Sequence, residues 1–519
     1  MTVHDRRETA PVGRRSARHQ LRTHFRRSMR LVALSAAIPG TGLIRTRARM
    51  AGWAIFLAFL LAIAVGVALI VSQGAKDVGL YVLSHPDVLQ GLGVLLAVGG
   101  LFWCASIIAT AVAARPDRLD RTRTRVLAVF TTLLVGLVGA GTYKGAEAAL
   151  ITTDTIRGVF SAEGLRPGEG AKVVNEPDVD PWRDTPRVNL LLMGSDAGIG
   201  RTGTRPDSMI VASIDTRTGR TALISVPRNF EWAPLPAGSP LRERWPGGFY
   251  GGTHDQPDCP RKAADAADPC AINAIWTEVD QFREANPDAY ADEVVPGRSE
   301  TRDVVGEVLG LKIDHLVVID LQGFMDLVNA MGGVEVNVKL GGFDGKTPLP
   351  YGQKFADGSY AHYFDDLGPQ QLNGYQALWY ARTRAADNDD HRQRRQRCVV
   401  QAVVDQVDPA LMLAKYASIA HILKENVYTD IPGANLPAFA ELVERVQKAK
   451  ITSLGFTDKN GFPYSSNPDY ELVRELVQKA IDPPTKKSKP KPAVTTPTEA
   501  TIPTPSTTET EPADVDKCA

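Results

Sequence analysis

The chain has 519 residues, too many for one ordinary domain, so we expect at least one globular domain with additional segments. Its 59 basic and 59 acidic residues cancel, but the charge is unevenly spread, with twelve arginines in the first fifty residues. No helix-turn-helix or zinc pattern accompanies this basic segment, which argues against a nucleic-acid-binding protein.

The basic segment, residues 1–50, precedes three apolar stretches at about 51–72, 88–114 and 126–142. A bilayer span needs roughly 17–25 mostly apolar residues, so all three qualify and residues 51–142 are predicted to form three transmembrane helices. A cleaved signal peptide would have a single short apolar core, which this pattern excludes.

The loops between the spans predict the topology. The loop between the second and third spans has five arginines and two aspartates, whereas the loop between the first and second is nearly uncharged. Under the positive-inside rule, the N-terminus is cytoplasmic and everything after about residue 143 is extracytoplasmic. A fourth span at residues 31–44 would reverse this orientation. That stretch is short and contains Pro39 and Gly40, so we interpret it as an interfacial segment.

The cysteines suit the same orientation. Cys104 lies in the second span, and the other four fall on the predicted outer side, where an oxidising compartment permits disulfides. The simplest pairing joins Cys259 to Cys270 and Cys398 to Cys518. Three connectivities are possible for four cysteines, and free buried thiols are the alternative.

The outer part begins with a polar connector at 143–185. Three strands are then predicted at 188–194, 208–215 and 221–227, the last two joined as a hairpin by the turn TRTG. A loop-rich stretch covers about 229–270. Helices at about 271–285 and 300–310 follow, and then a strand, a helix and a strand over 315–338.

Residues 368–384 predict a loop and a helix, and 391–406 a further helix. This mixture predicts an α/β fold, a three-layer α-β-α domain with a mixed sheet, over 186–406. Residues 407–481 predict a helical extension with one strand at 451–456. The Pro/Thr-rich tail, 482–519, cannot bury a core and is predicted to be disordered or to span the cell wall.

The loop after the first strand, GSDAGIGRTGTRPDS, combines acids with arginines. Asp196 and Asp207 supply carboxylate oxygens, which Mg²⁺ prefers and often shares with substrate phosphates. Arg201 and Arg205 suit phosphate oxygens, because guanidinium makes forked, charge-assisted hydrogen bonds. A polar turn with solvated charges is the alternative.

Two further arginine clusters follow. Arg228 comes at the end of the third strand, where the active sites of α/β proteins gather. In YARTRAADNDDHRQRRQR, Arg382 and Arg384 alternate and would face one way in an extended segment. The following helix carries more arginines. Such a run is usually a solvated face, to which we assign Arg394, but its position after ALWY suggests a cleft. Together the clusters suit a pyrophosphate with a metal ion.

The sequence resembles the LytR-CpsA-Psr family in five blocks over about 188–406, including VNLLLMGSDAGIGRTGTRPDSMIVASID, INAIW and LNGYQALWYARTR. The resemblance implies an α/β fold with an apolar pocket for a polyprenyl chain. It also implies Mg²⁺-dependent transfer of a glycopolymer from a polyprenyl-pyrophosphate carrier to peptidoglycan. The multi-span anchor and outer cysteines are similar to those of actinobacterial members.

The resemblance assigns roles to individual residues. Asp196 and Asp207 match the metal and pyrophosphate aspartates. The arginines that match the pyrophosphate-binding positions are Arg205, Arg228, Arg382 and Arg384. Arg201 is a further predicted substrate contact, which rests on its place in the loop and not on the resemblance. Residues that match the helix after the acidic loop are Arg392, Arg395 and Gln396. Asn229 replaces a common Asp, and Glu278-Val279-Asp280 replaces a Gly-Gly, which puts the acceptor side in doubt.

The predicted function is therefore a phosphotransferase in cell-wall biogenesis, with its catalytic domain outside the cell membrane. The lipid tail would lie beside the helix at 321–331, lined by Phe324, Met325 and Leu327, although ordinary core packing explains these residues equally well. A polyprenyl-pyrophosphate pyrophosphatase and a membrane-bound regulator of gene expression are the alternatives. The glycopolymer, the acceptor and the oligomeric state are left open.

Overall fold

A computed structural model describes residues 14–116, 120–160, 170–174, 179–196, 204–250, 270–291, 293, 295–341, 346–364, 366–407, 415–462 and 468–483. The chain divides into two units, Met1–Ile156 and Arg157–Ala519. The predicted disordered tail lies outside the described residues except for its first two positions.

The first unit is helical. Its helices are α1 (Arg14–Ala37), α2 (Arg49–Gln73), α3 (Ala75–Ser84), α4 (Pro86–Ala113) and α5 (Arg121–Val159). Among the described residues, α2, α4 and α5 are long and apolar enough to cross a membrane, which matches the three predicted spans. The helix α5 continues into the segment predicted as a connector.

Residues 31–44 do not form one continuous helix. The helix α1 ends at Ala37, and only a short 3₁₀ turn, Leu43–Arg45, follows. Pro39 lacks a backbone N–H, and Gly40 has a φ of +84°, a conformation that disfavours other residues. On α1, the hydroxyl of Ser35 lies 2.8 Å from that of Thr110 on α4, so this end of α1 packs within the unit.

The second unit is built around a six-stranded sheet in the order β10-β3-β2-β1-β4-β9. Its strands are β1 (Arg187–Ser195), β2 (Pro206–Asp215), β3 (Thr221–Ser225), β4 (His315–Asp320), β9 (Val427–Thr429) and β10 (Ile451–Leu454). The pairs β1–β4 and β3–β10 are parallel and the other pairs are antiparallel, so the sheet is mixed, as predicted. The predicted hairpin is β2–β3.

Helices cover both faces of this sheet. The α-helices described in the second unit are α6 (Leu241–Arg244), α7 (Ile275–Ala285), α8 (Pro296–Leu309), α9 (Leu321–Met331), α10 (Gly374–Arg382), α11 (Asp389–Gln406), α12 (Tyr416–Asn426), α13 (Leu436–Gln447) and α14 (Tyr470–Ile481). Side chains alternate along a strand. Leu191 of β1 therefore packs with α7, α8 and α14, whereas Val188 packs with α11 and α13. This confirms the three-layer prediction.

A smaller part of the second unit has its own core. It contains the antiparallel pairs β5 (Val334–Val338) with β8 (Gly368–Leu372) and β6 (Leu349–Lys354) with β7 (Tyr360–Phe364). The prediction of a loop at 368–372 is therefore wrong, because these residues form the strand β8. Its sequence GPQQL is polar and has Leu372 as its one buried residue, so it lacks the apolar alternation that identifies a strand.

The segment predicted as a C-terminal extension belongs to the main core. The predicted strand at 451–456 is β10, which pairs with β3. Val473 and Val477 of α14 are fully buried with residues of β1 to β4. The sequence did not predict β9, which has only three residues.

Candidate functional site

The predicted site residues gather at one edge of the six-stranded sheet. Both β1 and β3 run antiparallel to β2, while β4 is parallel to β1 and β10 to β3. The carboxyl ends of β1, β3, β4 and β10 therefore meet at one edge, where ligands of α/β proteins bind. Asp196 follows β1, Asp207 lies at the start of β2, and Arg228 comes shortly after β3.

Asp207 joins two arginines from distant parts of the chain. Its Oδ1 accepts a hydrogen bond from Nη1 of Arg228 at 2.5 Å, and its Oδ2 from Nη2 of Arg382 at 3.5 Å. The three side chains are partly open, with exposed fractions of 22% for Asp207, 26% for Arg228 and 36% for Arg382. The structure thus brings together three residues that the sequence singled out in three clusters.

Asp196 and Arg205 lie at the two ends of the loop that joins β1 to β2. The backbone N–H of Arg205 donates to Oδ1 of Asp196 at 3.3 Å. Thr277 on α7 fixes the same loop end, because its hydroxyl donates to the carbonyl of Thr204 at 3.0 Å. Arg201, the other predicted arginine, lies outside the described residues.

Arg395 holds the connection between α10 and α11. Its guanidinium donates to both carboxylate oxygens of Asp387, at 2.5 and 3.1 Å, and to the carbonyls of Tyr380 and Thr383, at 2.8 and 2.5 Å. The side chain is 7% exposed. Its predicted direct contact with substrate does not fit this internal bonding, and the geometry gives it a positioning role toward the loop that carries Arg384.

The prediction that Arg382 and Arg384 lie in an extended segment and point in the same direction is wrong. Arg382 is the last residue of α10, and Thr383 caps that helix. The two guanidinium groups have different acidic partners, since Nη1 of Arg384 lies 3.8 Å from Oδ1 of Asp389, whereas Arg382 contacts Asp207.

Arg392 is a buried arginine near the same edge of the sheet. Its Nη2 lies 2.9 Å from Oδ1 of Asp389, and the side chain is 4% exposed. Burial lowers the pKa of Arg392, while Asp389 opposes this and the nearby Arg228 adds to it. Arg392 therefore adds a buried positive charge whose pKa is lowered by burial and by the charge of Arg228.

Two sets of hydrogen-bonded side chains near the site were not predicted from the sequence. The hydroxyl of Tyr250 donates a hydrogen bond to Glu278. Burial is the main cause that raises the pKa of Tyr250 to about 12, and the Glu278 carboxylate raises it further, whereas Arg205 lowers it. Arg397 donates to the hydroxyls of Ser453 and, at 2.7 Å, Ser225, at the ends of β10 and β3. Glu278 was visible only as a departure from a family block, and nothing singled out the two serines.

The remaining predicted contacts differ in exposure. Gln396 is 7% exposed on α11. Phe324 on α9 is half-buried and packs against the core of the smaller part. Met325 and Leu327 are also half-buried. Their predicted contacts with a lipid tail stay predictions, because core packing accounts for Phe324.

The acidic groups fit a metal ion only in part. Within the described ranges, no three or more His, Cys, Asp or Glu side chains form a metal-binding group. Asp196 and Asp207 offer two carboxylates beside several arginines. This set fits Mg²⁺ that takes its other ligands from water and substrate phosphates, which is how Mg²⁺ is commonly bound, rather than a closed cage.

The cysteine prediction falls partly outside the described residues, which exclude Cys259 and Cys518. Cys270 and Cys398 are buried, and each is disulfide-bonded. The connectivity stays a prediction. Cys104, in α4, is a free thiol.

The comparisons with known proteins agree on one family. The model of the LytR_cpsA_psr family matches residues 161–236 and 265–481. The polyisoprenyl-teichoic acid–peptidoglycan teichoic acid transferase TagV of Bacillus subtilis is 27% identical over 69% of this chain and 78% of its own length. The corresponding transferase TagU of Enterococcus faecalis is 32% identical over 34% of this chain, which spans about half, 55%, of that relative.

A solved structure is also similar. It is that of a LytR-CPS2A-psr family protein, TagT, with bound octaprenyl pyrophosphate lipid. It is 18% identical, covers 62% of this chain and 98% of its own, and has a TM-score of 0.35.

Proposed function

We propose, because the chain belongs to the LytR-CpsA-Psr family, that it transfers a glycopolymer from a polyprenyl-pyrophosphate carrier to peptidoglycan. The names of the curated relatives describe polyisoprenyl-linked teichoic acid and peptidoglycan as substrates of those proteins.

The arrangement of Arg228, Asp207 and Arg382 carries this proposal. Two guanidinium groups from distant segments share one carboxylate at an open edge of the sheet. Arginine forks match phosphate oxygens as well as carboxylate oxygens. A pyrophosphate group can therefore take the place that Asp207 occupies on one or both arginines, while the buried Arg392 supplies further positive charge.

The chemistry that suits this cluster is phosphoryl transfer. A hydroxyl of the wall acceptor attacks the phosphorus attached to the glycopolymer, the bond from that phosphorus to the bridging oxygen breaks, and polyprenyl phosphate leaves. Arg228 and Arg382 stabilise the charge that develops on the phosphate oxygens, as fixed cations do in such transition states. The hydroxyl proton passes to a base, for which water and the nearby carboxylates are candidates.

Asp196 and Asp207 would hold Mg²⁺ together with the phosphates, and the ion would supply additional neutralisation of their charge. Asp207 would then move from its contacts with Arg228 and Arg382 to the metal side of the site.

The membrane anchor suits a lipid-linked substrate. The apolar helices α2, α4 and α5 would cross the membrane, and the charge asymmetry of their loops would place residues 143–519 outside. The disulfides at Cys270 and Cys398 agree with an oxidising compartment. A reporter active only in the cytoplasm, fused after residue 160, should be silent, and activity there would reverse the orientation.

The cysteine pairing is proposed as Cys259–Cys270 and Cys398–Cys518. The second pair would close a loop of more than one hundred residues, for which chain entropy alone gives about 4–5 kcal/mol. Peptide mapping without reduction should recover these two pairs. A Cys270–Cys518 peptide would contradict the proposal.

The transfer assay tests the proposed function. Purified full-length protein would be given a radiolabelled polyprenyl-pyrophosphate glycan, with and without peptidoglycan. Label should enter the insoluble wall fraction only with acceptor present. Release of soluble phosphorylated glycan at an equal rate without acceptor would instead support a pyrophosphatase, and no turnover of either kind would favour a regulator.

A further inference from the structure

The first unit carries a high density of arginine in segments that are far apart in the sequence. Residues 22–49 contain seven arginines and no acid, and residues 115–125 contain five arginines and two aspartates. Ten of these twelve arginines are exposed among the described residues, and they are Arg22, Arg26, Arg27, Arg30, Arg45, Arg47, Arg49, Arg115, Arg121 and Arg125.

The helix α1 runs antiparallel to the end of α4. The hydroxyl of Ser28 donates to the carbonyl of Ala114, just after α4, at 2.6 Å. Seven residues further along α1, the carbonyl of Ser35 accepts from Nε1 of Trp103 at 2.9 Å. Trp103 lies ten residues before the end of α4, about 15 Å along the helix axis. The last turns of α1 therefore lie beside an apolar span, and the arginines before Ser28 lie at its end.

After α1 the chain turns back toward the same end. The backbone N–H of Gly42 donates to the hydroxyl of Ser35 at 3.2 Å, and this hydroxyl lies 2.8 Å from that of Thr110, about one turn before α4 ends. A Cβ on Gly40 would lie 2.5 Å from the carbonyl oxygen of Gly52, in the first turn of α2, so only glycine allows this approach. The start of α2 and the end of α4 therefore lie at one end of the unit.

Residues 31–44 thus enter and leave the apolar part of the unit at this end. They have no charged side chain, and the exposed Arg30 and Arg45 flank them. Leu34 and Ile38, four residues apart, are exposed as well. Exposed apolar side chains between flanking cations are typical of a segment that inserts partly into a bilayer and keeps its ends among the headgroups.

The loop between α4 and α5 brings the third group of arginines to the same end. It has only seven residues, from 114 to 120. Near the start of α5, Leu127 packs with Val32 of α1 and Ile107 of α4 in a small core. The exposed arginines of 22–49 and 115–125 therefore surround one end of the unit, and we call them the basic rim.

The charge of the basic rim is not neutralised within the protein. Among the described residues, none of its ten arginines forms an ion pair with an acid. Asp120 is the one described acid in these segments, and its Oδ1 accepts from the backbone N–H of Arg123 at 2.9 Å, which caps the start of α5. Guanidinium groups without acidic partners suit phosphate oxygens, with which they form forked, charge-assisted hydrogen bonds.

The surroundings of the basic rim favour a lipid over a soluble partner. Met50 and Trp53 of α2 and Val126 of α5 lie next to rim arginines in the sequence and are exposed. These helices are long and apolar enough to cross a bilayer, so arginines at their ends lie at the level of the phospholipid headgroups. Clusters of this size beside a span attract anionic headgroups.

We propose that the basic rim binds the headgroups of anionic phospholipids. This inference rests on the membrane anchor proposed above and is independent of the transfer reaction. The arginines supply both the long-range attraction, which salt screens, and the direct contacts with phosphate oxygens. The uncharged segment 31–44 holds the arginines of α1 and of the start of α2 at the bilayer surface.

Brominated lipids test the proposal, because bromine quenches the fluorescence of a nearby tryptophan. Full-length protein would be reconstituted into vesicles of phosphatidylcholine and phosphatidylglycerol, with the acyl chains of one lipid brominated at a time. Trp53 lies one turn after Arg49 and is the reporter, and Trp53→Phe gives the background. At low salt, phosphatidylglycerol should be enriched about fivefold around the wild type, and the enrichment should fall as salt is added.

Variants of the basic rim identify the groups responsible. The triple change Arg26→Gln, Arg27→Gln and Arg30→Gln should reduce the enrichment below about twofold, whereas lysine at the same three positions should retain most of it. The matched control is the triple change of exposed arginines in the second unit, Arg217→Gln, Arg220→Gln and Arg242→Gln, which should leave the enrichment unchanged. The arginines of 115–125 stay in place in all variants, and the reporter fused after residue 160 checks that the orientation is kept.

The outcomes separate the basic rim from the anchor and from the transfer reaction. Equal enrichment of the two lipids around a wild type that is incorporated into the vesicles would overturn the rim and leave the anchor intact. A protein that does not enter vesicles of phosphatidylcholine alone would overturn both. An equal loss in the lysine and glutamine variants would assign the effect to packing and contradict the proposal. If phosphatidylglycerol is not enriched but a polyglutamate peptide binds the protein in detergent, and the glutamine variant abolishes that binding, the partner is an acidic protein and the lipid proposal is wrong.

Discussion

Two groups of ion pairs lie at opposite edges of the same sheet and differ in their access to water. At the amino end of β4, Nη1 of Arg302 lies 3.9 Å from Oδ2 of Asp430, and the side chains are 2% and 1% exposed. Asp430 also accepts from the backbone N–H of Leu316 at 2.9 Å and lies 3.2 Å from Nδ1 of His315. This group, which we call the closed cluster, lies within the fold.

At the carboxyl edge, Arg228, Asp207 and Arg382 form the open cluster, in which each side chain is between 22% and 36% exposed. A buried charge that loses its partner is costly, whereas a half-exposed one can exchange its partner for water or a ligand. The same residue types therefore serve structure at one edge and, in the proposed function, binding at the other. Burial, rather than residue type, makes the difference.

The largest expected effect is on the closed cluster. Arg302→Ala leaves Asp430 buried without its cation and should lower the free energy of unfolding by about 3–5 kcal/mol. Chemical unfolding of the full chain, followed by tryptophan fluorescence, measures it. Arg228→Ala in the same assay should change stability by less than about 1 kcal/mol. Equal losses for both variants would remove the distinction between the clusters.

For the open cluster we expect the opposite result, a loss of activity without a loss of stability. Arg228→Ala and Arg382→Ala should each reduce transfer by about 2–4 kcal/mol in the transition state, roughly 30- to 1000-fold, while the melting temperature stays unchanged. Arg384→Ala should also impair turnover. Lysine should rescue poorly, because it cannot form the forked contact. A near-normal rate for Arg382→Ala would exclude that arginine from the site, with Arg474→Ala as the control.

The aspartates of the open edge should govern metal dependence. Asp196→Ala and Asp207→Ala should raise the Mg²⁺ concentration needed for half-maximal transfer several-fold, because each removes one carboxylate ligand. Titration of Mg²⁺ at saturating substrate measures this. Unchanged metal dependence in Asp207→Ala would move the metal elsewhere, with Asp389 as the next candidate, since Arg395 already holds Asp387.

The smallest expected effect concerns Glu300, on α8 beside the closed cluster. Burial raises the pKa of this carboxyl, and Asp303 and Glu293 add to the effect while Ser239 opposes it. Because its folded pKa lies above its ordinary value, Glu300 reduces stability as the pH rises above that value. Glu300→Gln should therefore raise the melting temperature at neutral pH, and the gain should disappear as the solution becomes acidic. A gain that is independent of pH would contradict this account.

The sequence predicted the open edge better than the closed one. Apolar alternation identified β1, β2 and β3, and Asp207 and Arg228 stood out because they flank those strands. Arg302 and Asp430 gave no signal, because they lie more than one hundred residues apart and only the pairing of β4 with β9 brings them together.

The sequence also divided the arginines of α11 incorrectly between the site and a solvated face. Spacing shows which residues share a face, but it does not show what each face meets. Arg395 was predicted to contact substrate and instead binds Asp387 and two carbonyls, whereas Arg394 was assigned to solvent and lines a cavity. These partners lie on β5, on α10 and in the loop before α11, so the tertiary fold decides them.

The central claim is that the open cluster binds a pyrophosphate. The most direct measurement compares the affinities of polyprenyl pyrophosphate and polyprenyl monophosphate for the wild type and for Arg382→Ala, by calorimetry with Mg²⁺ present. The wild type should prefer the pyrophosphate at least tenfold, on the order of 1.4 kcal/mol, and Arg382→Ala should lose that preference while it keeps its affinity for the monophosphate within a few-fold. Equal affinities for the two lipids in the wild type, or an unchanged preference in Arg382→Ala, would contradict the account.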